Sequence, residues 1–382
     1  MIRITHVINN LQVGGAELSL LRLIEGMDRS LFEPAVVSLI GEGTVGPRLK
    51  SLDVPVFALG AARGSISPLI LISLKRQLRH LRPDIIQSWM YHSNLATCLV
   101  RGSLPGRPPL AWNIRHSLSD LHHEKWLTRQ VIRAGARRSN RVEAIVSNSS
   151  VSLRQHEAIG YRSPRNIVIP NGVDPDVFSP VAGAREDLRR TLGLGPDALL
   201  VGGVGRFHPM KDHCLLARAV ALASECGRAL HCVIAGRGYE VEAATADLRS
   251  SSGLGDRLHL LPESSSIASL YSALDLFVVS SRWGEGFPNV LAEAMACGIP
   301  CLSTEVGDAP LILDDPSRIV PAGDVEAMAG IIGRLVDLSS EERRSLGSRD
   351  RERIGGCYRT SDITERYQRL WNEIATDRRI GS

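Results

Sequence analysis

Short apolar runs alternate with helix-patterned stretches along the whole chain, and no other feature limits the fold as tightly. In the first half the runs are Ile2 to Ile8, Ala35 to Ile40, Val54 to Leu59, Asp84 to Trp89, Leu110 to Ile114, Val142 to Ser147 and Asn166 to Ile169. The second half repeats the rhythm at Leu199 to Val204, Leu230 to Ala235, Leu258 to Leu261, Leu274 to Ser280, Ile299 to Ser303 and Ile319 to Val320. Strands separated by a helix's length of chain cannot pair through tight turns, so each set predicts βαβ units on a parallel sheet. With 382 residues the chain exceeds one ordinary core, and two Rossmann-like α/β domains follow.

The spacing places an N-terminal domain over residues 1–172 and a second over 173–360. Pro170 to Pro180 carries three prolines and an Asn-Gly pair, which reads as the linker between them. Ile363, Tyr367, Leu370, Trp371 and Ile374 fall on one helical face, so residues 361–382 read as a terminal helix that can cross back to the first domain.

Composition removes several classes. No apolar run approaches the roughly 18 residues that span a bilayer. The N-terminus enters its first strand with no secretory pattern, and the seven cysteines show no zinc spacing. Both features predict a reduced, cytoplasmic setting, at most at the inner face of the cell membrane. Cys297 and Cys301 read as small apolar residues at a helix-to-strand connection. Residues 1–185 hold 23 Lys/Arg against 13 Asp/Glu, and residues 186–382 hold 22 against 28, so the halves are +10 and −6. A basic first half suits an anionic membrane surface or a phosphorylated acceptor. With 4% aromatics and no basic run interleaved with them, nucleic acid is not an expected partner. Lys75, Arg76, Arg79 and Arg82 form one basic cluster; Arg129, Arg133, Arg137, Arg138 and Arg141 form another beside Trp126, Leu127, Val131 and Ile132. The second cluster reads either as a membrane-surface helix or as an amphipathic helix with a solvated basic face.

Three glycine-framed segments carry the candidate chemistry, each after an apolar strand. Trp283 to Gly298 sets Glu285 in a loop, Pro288 at the first helical position, Glu293 inside the helix and Gly298 at its C-terminal cap; the first-turn amides suit a phosphate. Gly202 to Asp212 places Arg206 and Lys211 after a glycine-rich turn, a pair suited to a pyrophosphate, although the dinucleotide fingerprint fails at His208. Asn9 to Glu17 places Gly14 and Gly15 where a backbone can approach a ligand closely.

On these residues the chain resembles the retaining glycosyltransferases of family 4, over essentially its whole length. The matching features are Gly14-Gly15-Ala-Glu17, Pro170-Asn-Gly-Val-Asp174, Gly205-Arg206-Phe with Lys211, and the Glu285-x7-Glu293 block. The resemblance implies a GT-B fold, two Rossmann-like domains facing a central cleft, and an enzyme that moves a sugar from a nucleotide-sugar donor to a hydroxyl. It implies that Arg206 and Lys211 bind the diphosphate, Glu293 the ribose and Glu285 the transferred sugar. Gly15 and the backbone at Gly286, Phe287, Asn289 and Val290 would complete the donor site, while Pro288 has no N–H to give.

The family's cleft histidine has two counterparts, His116 in Asn113-Ile-Arg115-His116-Ser117 and His92 in Trp89-Met-Tyr-His92. Arg115 and Ser117 depart from the family pattern there. UDP-sugars are the commonest donors in comparable enzymes, with GDP-sugars equally open here. The acceptor implied is a glycan or a polyprenyl-diphosphate-linked saccharide for surface polysaccharide. The nucleotide-sugar is a substrate, and without an Asp-x-Asp triplet no metal or other cofactor is expected. A GT-B nucleotide-sugar epimerase and a non-catalytic nucleotide-sugar-binding subunit remain the alternatives. Retention of both Glu285 and Glu293 favours catalysis.

Overall fold

The computed structural model describes residues 1–380 except positions 63, 65, 119, 120, 122, 123, 226 and 265. The chain divides into two compact units, one formed by Met1–Gly172 with the segment from Thr360 onward, the other by Val173–Arg359.

The first unit runs β1 (Ile2–Ile8), α1 (Gly15–Glu25), β2 (Phe32–Ser38), α2 (Val45–Lys50), β3 (Val56–Ala58), α3 (Pro68–Leu81), β4 (Ile85–Trp89), α4 (Tyr91–Arg101), β5 (Leu110–Ile114), α5 (Trp126–Ala136), β6 (Ala144–Ser147), α6 (Ser150–Ala158) and β7 (Asn166–Val168). The strands pair in parallel in the order β3-β2-β1-β4-β5-β6-β7. Their apolar runs are continuous because both faces are covered. On one face Ile4, Ile8 and Trp89 pack with Leu20 and Ile24 of α1. On the other Val7, Ile86 and Trp112 meet Leu74 of α3, Val100 of α4 and Ile132 of α5.

The sequence places the second strand at Ala35, whereas β2 begins at Phe32 and runs through Pro34. Pairing with β3 starts only at Val36, so Pro34 lies where the strand has a single neighbour and its missing N–H costs no ladder bond.

The second unit comprises α7 (Ala184–Thr191), β8 (Leu199–Val204), α8 (His213–Ser224), β9 (Leu230–Ala235), α9 (Glu242–Ser251), β10 (Leu258–Leu261), α10 (Ile267–Ala273), β11 (Leu276–Val279), α11 (Asn289–Ala296), β12 (Cys301–Thr304), α12 (Ala309–Leu313), β13 (Ile319–Val320), α13 (Val325–Asp337) and α14 (Ser340–Cys357). Its parallel order is β10-β9-β8-β11-β12-β13. The expected linker is not a free tether: Val173 and Phe178 are buried in this unit's core, and Arg351 donates to the carbonyls of Pro175 and Phe178. Cys297 and Cys301 are buried free thiols, and burial, reinforced by the charge of Glu293, pushes the Cys297 thiol up to about 12.

The last helix, α15 (Thr360–Ile380), belongs to the first unit. Ile363, Tyr367, Leu370, Trp371 and Ile374 join the core built around β1 and α1. Trp371 is fully buried and its indole N–H donates to Gln87 Oε1 at 3.1 Å. Among the described residues no helix is long and apolar enough to cross a membrane.

Two buried histidines make the fold acid-sensitive. Burial pushes the imidazole of His6 in β1 down to about 3. Burial, with the charge of Lys211 as a lesser cause, pushes His213 at the start of α8 to about 3 as well. Both are held neutral when folded but accept a proton near pH 6.5 when unfolded. Their contribution to stability is therefore complete above about pH 6.5 and is lost as pH falls towards 3. The unfolding free energy from urea titrations, and with it the midpoint, should fall between pH 7 and pH 5, the free energy by about 1.4 kcal/mol per pH unit for each histidine below 6. Identical midpoints at pH 7 and pH 5 would contradict this.

Candidate active site

In the second unit β8 and β11 are neighbours although β9 and β10 separate them in sequence. Their C-terminal ends form the point where the strand order reverses, the usual place for a ligand in an open α/β sheet. After β8 the chain enters Gly205, Arg206 and Phe207 and closes a 3-10 turn at Pro209–Lys211. A Cβ on Gly205 would lie 3.2 Å from the Lys211 side chain, so the glycine leaves room for the lysine to fold over the strand end.

Lys211 reaches the loop after β11. Its Nζ donates to Glu285 Oε1 at 2.6 Å, and Ser281 Oγ donates to the same oxygen at 2.7 Å. Glu285 is only 8% exposed. Burial alone would raise its pKa, but the Lys211 charge and hydrogen bond, the Ser281 hydroxyl and the charge of Arg206 outweigh burial and hold it below the ordinary carboxylate range. Glu285 is therefore a buried, ionised carboxylate. Arg206 is exposed and, among the described residues, forms no ion pair.

Small polar residues fix this pair in place. Ser280 Oγ donates to the Lys211 carbonyl at 2.8 Å, and Thr304 Oγ1 donates to the Ser281 carbonyl at 2.7 Å. The loop after β12 closes over the other side, where Asp308 N–H donates to Gly286 O at 2.8 Å. Gly307 makes that approach possible: its φ is +64°, and a Cβ there would lie 2.4 Å from Gly286 O and 2.6 Å from Glu285 O.

Helix α11 starts at Asn289, with Pro288 as its N-cap rather than its first helical residue. Phe287 is buried, and the amides of Asn289 and Val290 belong to the first turn, where no intrahelical acceptor exists. Gly298 follows the helix with φ +74°, the left-handed terminator read from the sequence. Glu293, on this helix, accepts from Tyr271 Oη at 3.2 Å. The sequence reading thus names the ionic residues but misses Ser280, Ser281, Thr304, Tyr271 and Gly307. Of these, only Ser280-Ser281 carry a signal, two hydroxyls directly after an apolar strand.

The remaining candidates lie in the first unit, at the C-terminal edge of its sheet. Gly14 is the N-cap and Gly15 the first residue of α1. His116 follows β5; its Nε2–H donates to Glu124 Oε1 at 2.7 Å, and its carbonyl accepts from Ser152 Oγ at 2.7 Å. His92 lies in the first turn of α4, with a buried Nε2 that has no partner among the described residues; burial lowers its pKa, against a hydrogen bond with the Gly64 backbone. Met90, between β4 and α4, has φ +69° and ψ +165°, a strained conformation for a residue with a side chain. Among the described residues no three His, Cys, Asp or Glu side chains form a metal-ligand cluster.

Comparison with known proteins assigns both units. A model described as "Glycosyltransferase Family 4" matches residues 13–177, and one described as "Glycosyl transferases group 1" matches residues 198–337. EpsF of Bacillus subtilis, named as a glycosyltransferase, is 26% identical over 330 residues, 79% of each chain. The lipopolysaccharide core biosynthesis mannosyltransferase LpsB of Rhizobium meliloti is 29% identical over 52% of this chain and 56% of its own length. A D-inositol 3-phosphate glycosyltransferase of Actinosynnema mirum is 34% identical over 45% of this chain and 43% of its own length. The chain thus spans about half the length of the last two. In fold it is similar to Anabaena HepE, solved in complex with UDP, with a TM-score of 0.83 at 20% identity over 97% of this chain and 100% of that one. The chain is a glycosyltransferase of GT-B fold, in which the family 4 model matches most of the first unit and the group 1 model most of the second.

Gly307→Ala should displace the Glu285 loop, because carbonyl oxygens rather than a flexible side chain occupy the space the methyl needs. We expect destabilisation by about 1–3 kcal/mol from the positive φ and the clash, together with loss of activity. A variant with wild-type melting temperature and turnover would refute this role for Gly307.

Proposed function

We propose that the enzyme transfers a sugar, with retention, from a nucleoside-diphosphate sugar to a hydroxyl of a glycan or polyprenyl-diphosphate-linked acceptor in surface polysaccharide synthesis. A UDP-sugar is the first choice of donor. The observation that carries the reading is the buried, ionised Glu285 paired with Lys211 beside the exposed Arg206, at the strand-order reversal and next to the first turn of α11. Two cations and a helix N-terminus suit a diphosphate; a fixed carboxylate suits the hydroxyls of a sugar. HepE, with the same fold, was solved with UDP and with UDP-glucose, and the name of LpsB assigns it to lipopolysaccharide core biosynthesis.

In this scheme Arg206 and Lys211 stabilise the charge that grows on the leaving diphosphate without a metal ion, while Glu293 holds the ribose hydroxyls. Gly15, Gly286, Phe287, Asn289 and Val290 supply close backbone to the donor. The anomeric C–O bond to the diphosphate breaks, the acceptor oxygen bonds to the same face, and its proton passes to the leaving phosphate oxygen. His116 orients the donor sugar by hydrogen bonding, a role for which His92 is the competing candidate.

Purified protein screened against UDP-, GDP- and ADP-sugars should release nucleotide from one class of donor, UDP first. Arg206→Ala should lower turnover about 100-fold with an unchanged melting temperature, since Arg206 is exposed. Lys211→Ala should lower both, because it strips a buried carboxylate of its counter-ion. His116→Ala should slow transfer while calorimetry shows intact nucleoside-diphosphate affinity. Full turnover by Arg206→Ala at saturating donor would remove the diphosphate assignment.

We further propose that the first unit rests on anionic lipid. Leu69 and Ile72 of α3 and Trp126 and Leu127 of α5 are more than half exposed, and α4 packs between these two helices. Exposed Arg76, Arg79 and Arg133 lie on the same pair of helices, so apolar anchors and basic charge share one layer. At low salt the protein should float with vesicles containing about 30% anionic lipid and stay behind with neutral ones, and Trp126→Ser with Leu127→Ser should weaken flotation. Equal recovery with both lipids would leave only a solvated basic face.

A further inference from the structure

The C-terminal edge of the first sheet holds a cation that, among the described residues, no carboxylate balances. Arg115 follows β5 with its side chain folded inward. One terminal nitrogen donates to Tyr367 Oη at 3.0 Å and the other to Asn171 Oδ1, and the guanidinium lies 5.4 Å from the centre of the Trp89 ring. These neighbours are uncharged. Burial lowers the Arg115 pKa, and the positive charge of Arg22 pushes the same way against the Tyr367 hydrogen bond. Arg115 keeps some exposure to solvent, but holding a guanidinium largely out of water among neutral groups is costly unless an anion accompanies it. The Arg115 Nε–H is also buried, without an acceptor among the described residues.

Beside this group is a cavity of about 20 Å3 lined by Ser19, Arg22, Arg115, Thr360, Thr364 and Tyr367 among others. Its volume admits one water-sized species and little more. The hydroxyls of Thr360 and Thr364 are buried and unpartnered, as Arg115 Nε is. Three residues that line one small void thus each carry a buried polar atom with no partner among the described residues, although buried polar groups nearly always find one. A water could accept some of these hydrogen bonds, but it would leave the guanidinium charge uncompensated. A monatomic anion accepts hydrogen bonds from N–H and O–H donors alike and supplies the missing charge.

We propose that this cavity is a binding site for a small monovalent anion of the size and charge of chloride, held by Arg115 Nε–H and the hydroxyls of Thr360 and Thr364. Arg115 ends the β5 connection that leads into His116, and Thr360 and Thr364 form the first turn of α15. The bound anion therefore fastens the returning helix to the edge of the first sheet. Phosphate and carboxylate ligands are too large for the space. The site is independent of the donor and acceptor chemistry proposed above.

Thermal unfolding of the full-length protein in sodium chloride and in sodium gluconate at equal ionic strength tests the proposal. About 0.2 M chloride should raise the melting temperature by about 2–5 °C over gluconate, and bromide should do the same. Thr364→Val, which removes one donor at nearly constant volume, should fold and lose most of that difference; Thr360→Val serves if it does not fold. Crystals of the unaltered protein grown in bromide should show an anomalous peak inside the cavity. Equal melting temperatures in the two salts, or a bromide crystal with water alone in the cavity, would overturn the assignment.

Discussion

A parallel strand cannot be joined to its neighbour by a tight turn, and the rest of this structure depends on that constraint. Every strand pair in both sheets is parallel, so every connection must cross over a face and return to the starting edge. The helices that make the crossings bury the sheets from both sides. Residues with no place in that packing collect in the loops at the C-terminal edges. In the second unit the crossover through β9 and β10 brings Lys211 and Glu285, 74 positions apart, within 2.6 Å. In the first unit the corresponding reversal lies between β1 and β4, where Gly15 opens α1 and the strained Met90 opens α4.

The same constraint explains what was legible in the sequence. Strands covered on both faces appear as continuous apolar runs, and β1, β5, β8, β9, β10 and β13 have the bounds those runs define. The discrepancies arise where one residue answers to two influences. The expected second strand starts at Ala35, just after Pro34, yet Pro34 sits in β2 because pairing with β3 has not begun at that position. Pro288 reads as the first helical residue, yet it caps α11 with ψ +94°. Pro170 to Pro180 has linker composition, but Val173 and Phe178 supply enough apolar surface to be absorbed into a core.

The site was legible in its charges and illegible in its supports. Arg206, Lys211, Glu285 and Glu293 stand out because glycines frame them after apolar strands. Ser281 and Thr304 carry no periodic signal, and their importance exists only through register: Thr304 accompanies Val320 on one side, and its hydroxyl reaches the Ser281 carbonyl that starts the Glu285 loop. The family resemblance implies that Lys211 and Glu285 meet different parts of a ligand, whereas in the structure they pair with each other. Spacing alone does not reveal such a pairing, because it depends on which strands become neighbours.

That pairing sets the electrostatics of the proposed donor reaction. A carboxylate 8% exposed cannot give up the one ammonium partner it has among the described residues without a cost of several kcal/mol, so an incoming diphosphate cannot simply capture Lys211. Two adjustments avoid the penalty. Lys211, with three N–H donors, can keep one on Glu285 while turning another to phosphate, and sugar hydroxyls can donate to the remaining carboxylate lone pairs. Arg206, exposed and without an ion-pair partner, is free to meet the phosphate first. The site then offers two cations against one fixed carboxylate, and the diphosphate gains negative charge as the anomeric bond breaks. Attraction to Arg206 and Lys211 therefore increases on the way to the transition state, which is the condition under which binding groups accelerate a reaction rather than merely hold the substrate.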